Sequence, residues 1–316
     1  MTRVLVVGVP RSGTTWVAQA LCAGAGASYV EEPDNHFRFA YAYRAKRELG
    51  RGPYPEARVD EDLDETAFGV LWRHAFTTGR RTALQALSRS VANRLVTLAG
   101  PKDAAHTLAG TIRDARLLVA SRLAMPEHAK RPSQHMVVKS VYAPLCAEWV
   151  SARHAARTVV VVRRPLEIVA SWVTLGWLGP RWPDPLSSVP AQVIEALTGR
   201  CAAPAAPSSR LGRAAWLVGV LQRTLEQTVE RNPSWALAAH ELLYRSPLDE
   251  FRWLADVVGL PWSDAGDRAI DRGRRPGSGY DTRRVASQLD DAWRGRLSEE
   301  EVREIRDVLE PLSAWD

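Results

Sequence analysis

The 316-residue chain is expected to form an α/β fold: a mainly parallel central sheet flanked by helices on both faces. Three observations lead there. Val4–Val7 is short, wholly apolar and closed by Gly8, as in a parallel strand covered on both sides. Thr158–Val162 sets a run of valines behind a threonine, a second buried strand. A glycine-bounded turn, residues 8–13, joins the first strand to a helical pattern.

The remaining elements follow in order. Residues 14–25 read as a helix with Trp16, Val17, Ala20 and Leu21 on one face. Tyr29-Val30 suggests a brief second strand, 37–49 a helix and 50–55 a loop. Residues 64–124 are mostly helical in pattern, rich in Leu, Ala and Arg. Met136–Lys139 reads as a strand, 143–151 as a helix, and Pro165 opens a helix to about 175. Residues 176–190 and 201–209 read as loops, and about 176–210 is expected to be a mobile stretch. A long helix over 211–231, a strand over 235–239 and a helix from Ser246-Pro247 to Gly259 come next. Ser298 and Glu301 form a capping box for a helix with Val302, Ile305, Leu309 and Leu312 on one face. No internal repeat is visible, and the chain reads as one domain, 1–316.

Composition narrows the function only a little. Basic residues number 42 and acidic ones 36, a net +6. That suits an anionic partner, but an Arg-rich bias gives the same total. Cys22, Cys146 and Cys201 are far apart and form no metal or disulfide framework, so reduced thiols and a cytoplasmic location are expected. No apolar run reaches the ~18 residues of a membrane span, and Met1–Val9 is too short for a signal peptide because Pro10 and Arg11 interrupt it.

The turn carries chemistry. Gly8-Val9-Pro10-Arg11-Ser12-Gly13-Thr14-Thr15 has the G-x-x-x-x-G-x-T spacing of a phosphate-binding P-loop. Glycines at 8 and 13 permit close backbone approach, and the N–H groups at the helix start then face one anion. The Lys that reaches the outer phosphates of a nucleoside triphosphate is absent; Thr14 stands there. The valine strand ends in Arg163-Arg164 rather than an acidic magnesium ligand. Arg163-Arg164-Pro165, followed by Ser171, marks a second anion site at the carboxyl end of a strand.

Together, Pro10-Arg11-Ser12-Gly13-Thr14-Thr15-Trp16 and Arg163-x-Pro165 with Ser171 resemble the 5′-phosphosulfate loop and 3′-phosphate motif of the sulfotransferases that use 3′-phosphoadenosine 5′-phosphosulfate (PAPS). The resemblance covers roughly residues 1–40 and 136–175, and Arg11 places it nearer the carbohydrate and bacterial branch than the cytosolic one. It implies a P-loop-containing nucleotide-binding fold and the release of 3′-phosphoadenosine 5′-phosphate (PAP). Arg11, Ser12, Gly13, Thr14, Thr15 and Trp16 would hold the 5′ end of the donor, and Arg163 and Ser171 the 3′-phosphate. Lys139 matches a family lysine near the transferring group, Arg274 and Arg275 a basic loop over the nucleotide, and His240 an adenine contact. The cytosolic branch's catalytic His is replaced by Val141, so the base is expected at Glu32, with Glu31 and His36 in reserve. Arg11, Glu32 and Lys139 are thus the candidate catalytic groups; no metal enters the scheme. Residues 50–130 would form a helical acceptor-side insertion, with Trp177 and Trp182 stacking on the acceptor. The acceptor itself, a hydroxyl of a carbohydrate, lipid or small natural product, is not legible; nor is the oligomeric state.

Three rivals remain at this stage: a P-loop kinase or NTPase, a non-catalytic nucleotide-binding relative, and a nucleic-acid-binding protein. The arginines are spread along the chain and no zinc-finger spacing occurs, so no nucleic-acid partner is expected.

Overall fold

The computed structural model describes residues 1–79, 82–108, 114–187, 189–274 and 293–312. Its centre is a parallel five-stranded sheet: β1 (Thr2–Gly8), β2 (Ser28–Glu31), β3 (His135–Ser140), β4 (Arg157–Val162) and β5 (Ala236–Ala239), in the order β2-β3-β1-β4-β5. The helices are α1 (Thr14–Ala25), α2 (Ala40–Leu49), α3 (Ala67–Ala75), α4 (Ala83–Leu108), α5 (Ala115–Arg122), α6 (Ala147–His154), α7 (Pro165–Thr174), α8 (Ala191–Cys201), α9 (Arg210–Arg231), α10 (His240–Arg245), α11 (Pro247–Val257), α12 (Asp264–Arg274) and α13 (Glu299–Leu309). None among the described residues is long and apolar enough to cross a membrane.

Alternation along the strands splits the core into layers. Leu5, Val7, Met136, Val138, Val160 and Val162 point to a face covered by α2 to α6. Val4, Val6, Val137, Val159 and Val161 point to the other, beneath α1, α11 and α12. Beyond β4, α7, α8, α9 and α13 close a third cluster around Trp216, Leu217 and Ile305.

Most expected elements are present, with shifted ends. The helix expected from 37 begins at Ala40, because Asn35 Oδ1 accepts the Phe37 N–H at 3.0 Å and holds the chain in a turn first. The stretch expected to be a loop over 176–210 contains α8, whose Val193, Leu197 and Cys201 are buried against α9. The helical reading of 64–124 resolves into α3, α4 and α5, with α4 broken at Gly100 beside Pro101. The Ser298–Glu301 capping box is formed in both directions.

One close approach sets up the active face. A Cβ on Gly8 would lie 2.5 Å from the Val161 carbonyl oxygen of β4. Gly8→Ala is therefore expected to cost about 1–3 kcal/mol by overpacking, read as a lower urea midpoint. An unchanged midpoint would mean that β1 and β4 can part here.

Candidate active site

Parallel strands place their carboxyl ends along one edge, where open α/β sheets bind ligands. Across that edge the strand order sets out Glu32 after β2, Lys139 in β3, the turn after β1, Arg163 after β4 and His240 after β5. All border one cavity of about 400 Å³, within the roughly 300–1,000 Å³ usual for small-molecule sites.

The turn after β1 leaves backbone donors unpaired at the head of α1. Gly13 has φ +105°, and a Cβ there would meet the His240 ring at 2.5 Å. Arg11 also lies in the left-handed region, at φ +80°, a conformation that costs a non-glycine residue about 1–3 kcal/mol and clusters at functional sites. No side chain caps α1, and the N–H groups of Thr14 and Thr15 find no acceptor among the described residues. Two further buried donors have no partner among the described residues: the Ser12 hydroxyl, beside Gly8, and the Trp16 indole N–H, which faces Gly273 of α12. The N–H groups at the head of α1 are the donors that an anion in the cavity would meet.

The two sequence motifs meet physically. Arg11 Nε donates to Ser171 Oγ at 3.1 Å, and Arg163 Nη1 donates to the Arg11 carbonyl at 3.3 Å. Ser171 thus lies on the face of α7 that turns towards the loop, a point helical pitch alone could not settle. Arg163 is 7% exposed, and its Nη2 donates to Glu167 Oε2 at 2.6 Å while its Nε lacks a partner. Beyond the expected anion contact, it is a strut between α7 and the phosphate loop.

Glu32 and Lys139 form a salt bridge, the lysine being 3% exposed. Glu32 has φ +46°, its N–H donates to the Lys139 carbonyl at 2.7 Å, and Asn35 Nδ2 donates to its Oε2 at 2.7 Å. Burial pushes the Glu32 pKa up, but the Lys139 ammonium, its hydrogen bond and the Asn35 amide together hold it below the usual value. The carboxylate is therefore ionised at neutral pH.

The reserves do not reach the site. Glu31 points to an exposed ion pair with Arg38 at 3.5 Å. His36 is fully buried between Phe37 and Tyr142, outside the cavity lining, and burial lowers its pKa well below the ordinary histidine value, so it stays neutral. Val141 lines the cavity. His240 does too, packing edge-on to Trp16 at 6.2 Å. Arg274, expected in a basic loop, is the last residue of α12, and Gly273 beside it borders the cavity instead. Arg275 lies outside the described residues. The aromatic wall was only half anticipated: Trp177 and Trp182 line the cavity, but so do Trp172, Phe37, Tyr54 and Tyr142. Their spacing in the chain holds no pattern that groups them.

Behind this wall sits a buried charge. Lys46 of α2 has no exposed surface; its Nζ donates to the Pro53 carbonyl at 2.7 Å and lies 4.5 Å from the Tyr142 ring centre. Burial lowers its pKa to about 8, against the attraction of buried Asp34, which accepts from Ser140 Oγ at 2.7 Å. Removing one partner of a buried charge couple leaves the other uncompensated, at a cost of about 3–5 kcal/mol. Lys46→Met is therefore expected to lower the melting temperature at pH 7. Between pH 8 and 10.5 the unfolded lysine holds more protons than the folded one, so wild-type stability rises with pH there. The wild type's margin over the variant should grow across that window in thermal scans; a margin that shrank with pH would contradict this assignment.

No protein-family model matches the chain, and no curated protein sequence does. Solved structures do show similarity. The sulfotransferase domain of the Synechococcus PCC 7002 olefin synthase aligns over 100% of this chain and 95% of its own, at 14% identity and TM-score 0.44. Sulfotransferase STF9 from Mycobacterium avium aligns over 99% and 76%, at 14% identity and TM-score 0.42. Mouse sulfotransferase SULT7A1, solved with PAP, aligns over 100% and 86%, at 9% identity and TM-score 0.42. The similarity is one of chain course alone.

Proposed function

We propose that the protein transfers a sulfuryl group from PAPS to an acceptor hydroxyl. The observation that carries this reading is the joining of the two anion motifs, Arg11 to Ser171 and Arg163 to the Arg11 carbonyl, next to the Glu32–Lys139 pair. A bisphosphate needs two anion sites a nucleoside apart, and a sulfuryl acceptor needs a base beside one of them. A triphosphate would need the loop lysine that Thr14 replaces.

In this reading the N–H groups of Thr14 and Thr15, with Ser12 and Arg11, bind the 5′-phosphosulfate. Arg163 and Ser171 take the 3′-phosphate, and Trp16 with His240 borders the adenine. The acceptor oxygen attacks sulfur in line. As the new S–O bond forms, the bond from sulfur to the 5′-phosphate oxygen breaks and PAP leaves with the electron pair. The acceptor's proton passes to Glu32. Charge grows on the departing oxygen, where fixed donors lower the barrier more than they stabilise the ground state.

The Glu32–Lys139 bridge gives the pair a switch of roles. While Lys139 holds it, Glu32 is a weak base. A donor phosphosulfate beside Lys139 draws the ammonium away, and Glu32 becomes more basic as the leaving oxygen gains its cation.

Calorimetry with PAP, and separately with ATP and magnesium, tests the donor half. Tight PAP binding, weak ATP binding and at least a tenfold loss of PAP affinity in Arg163→Ala are expected, about 1.4 kcal/mol or more. Better binding of ATP would instead favour a kinase. For the base, Glu32→Gln should slow PAP release from PAPS by about 10²–10⁴-fold in the presence of a pooled panel of alcohols and phenols. PAP affinity should change little. Turnover close to wild type would move the base elsewhere.

A further inference from the structure

Large apolar side chains left in water are concentrated in one part of the fold. Of the eleven among the described residues, six lie on α4, on α5 or at the residue that caps α5: Leu84, Leu87, Val91, Leu98, Val119 and Leu123. Leu84 is 76% exposed and Leu87 62%. Along α4, spacings of three, four and seven residues put its four members on one stripe. The inward side of α4 is settled. Ala92, Val96 and Ala99 are buried in the core, Asn93 Oδ1 accepts the Ala40 N–H at 3.0 Å, and Arg89 pairs with Glu127 at 2.7 Å. Ser88 Oγ donates to the Leu123 carbonyl at 3.0 Å and ties α4 to the end of α5. A fixed helix therefore holds the stripe outward, and none of the six borders the cavity at the strand ends. Clustered exposure of this kind marks an interaction surface.

Charge decides what such a face can meet. The sequence from 80 to 124 holds eight basic and two acidic residues. Its net +6 equals that of the whole chain, so the remainder balances at 34 basic and 34 acidic residues. A second copy docked on this face would bring like charge to like. Arg94 adds position to charge. It is exposed and stands three residues after Val91 and four before Leu98, in line with the stripe. In the seam of a helix pair its guanidinium would be buried without a carboxylate, which is strongly unfavourable. At a lipid surface the same side chain lays its stem along apolar groups and its guanidinium at the phosphates. On α5, exposed Arg116 and Arg122 flank Val119 at three residues on either side, Arg116 being paired with Asp114.

We propose that α4 and α5 form a docking face for a bilayer rich in anionic lipids. Leu84, Leu87, Val91 and Leu98 enter the boundary of the acyl chains, and Arg94 and Arg122 meet headgroup phosphates. The face rests on the surface and does not cross it, since no helix among the described residues is long and apolar enough to span a membrane. This attachment is independent of the reaction carried out in the cavity.

Co-sedimentation of the full chain with sucrose-loaded vesicles is the test. One set is phosphatidylcholine alone; the other adds about 30% phosphatidylglycerol, which supplies the negative surface potential that attracts basic segments. Binding to the anionic set should be at least about tenfold tighter. It should weaken as salt rises from about 0.1 to 1 M, where the screening length falls from about 10 to 3 Å. The double variant Leu84→Gln with Leu87→Gln, at exposed positions and with little change in helix propensity, should bind about tenfold or more weakly. Arg94→Gln should bind about fivefold more weakly, and keeps the test intact should the double variant fold poorly. Leu248→Gln on α11, exposed but outside the face, should bind like the wild type. No binding, equal binding to the two sets, or binding unchanged in both the leucine and the Arg94 variants would overturn the proposal. Without vesicles, a wild type that dimerises in sedimentation velocity beside a double variant that does not would give the face to a second copy, and would overturn it too.

Discussion

The site depends on how closely β1 can lie against β4 at its carboxyl end. Gly8 brings the chain under the Val161 carbonyl with no room for a side chain. The turn that follows can then double back, present its N–H groups at the head of α1 and rest its Arg11 carbonyl on Arg163. From there Arg11 reaches Ser171 on α7. One backbone contact in the sheet thus helps to join two segments some 150 residues apart in sequence, the two proposed to bind anions. The left-handed conformation of Arg11 is the local cost of this arrangement.

The other half of the site is governed by charges kept from water. Glu32 and Lys139 satisfy one another at the cavity wall, whereas Lys46 and Asp34 lie deeper, their direct partners among the described residues being a carbonyl, a hydroxyl and a ring face. The first pair can exchange partners when an anion arrives. The second group is cut off from the cavity and contributes chiefly to the placing of Pro53 and Tyr142.

Legibility from sequence followed the physics of each signal. The strands β1 and β4 were plain because a parallel strand buried on both faces is a continuous β-branched run. The glycine-bounded turn after β1 was plain because its backbone signal is local. α8 was hidden by proline- and glycine-rich flanks, and α12 by a polar stretch in which only Gly266, Ala269 and Ile270 are buried. Glu32 could be preferred to Glu31 only on resemblance. The structure supplies the physical reason: β2 ends at Glu31, and the left-handed turn at Glu32 directs its carboxylate to Lys139, not outward. Of the aromatic wall, Trp177 and Trp182 stood out in their Trp-, Pro- and Gly-rich loop, but Trp172, Phe37, Tyr54 and Tyr142 did not, since they join them only after folding.

The strand order β2-β3-β1-β4-β5 also has an evolutionary meaning. The segments that carry the anion motifs leave β1 and β4, whereas those that contribute Phe37 and Tyr142 leave β2 and β3. Glu32 and Lys139 belong to the second set too, so a substitution that moved their bridge would reach the proposed chemistry, whereas one at Phe37 or Tyr142 would reshape the cavity wall and leave the contact of β1 with β4 as it is.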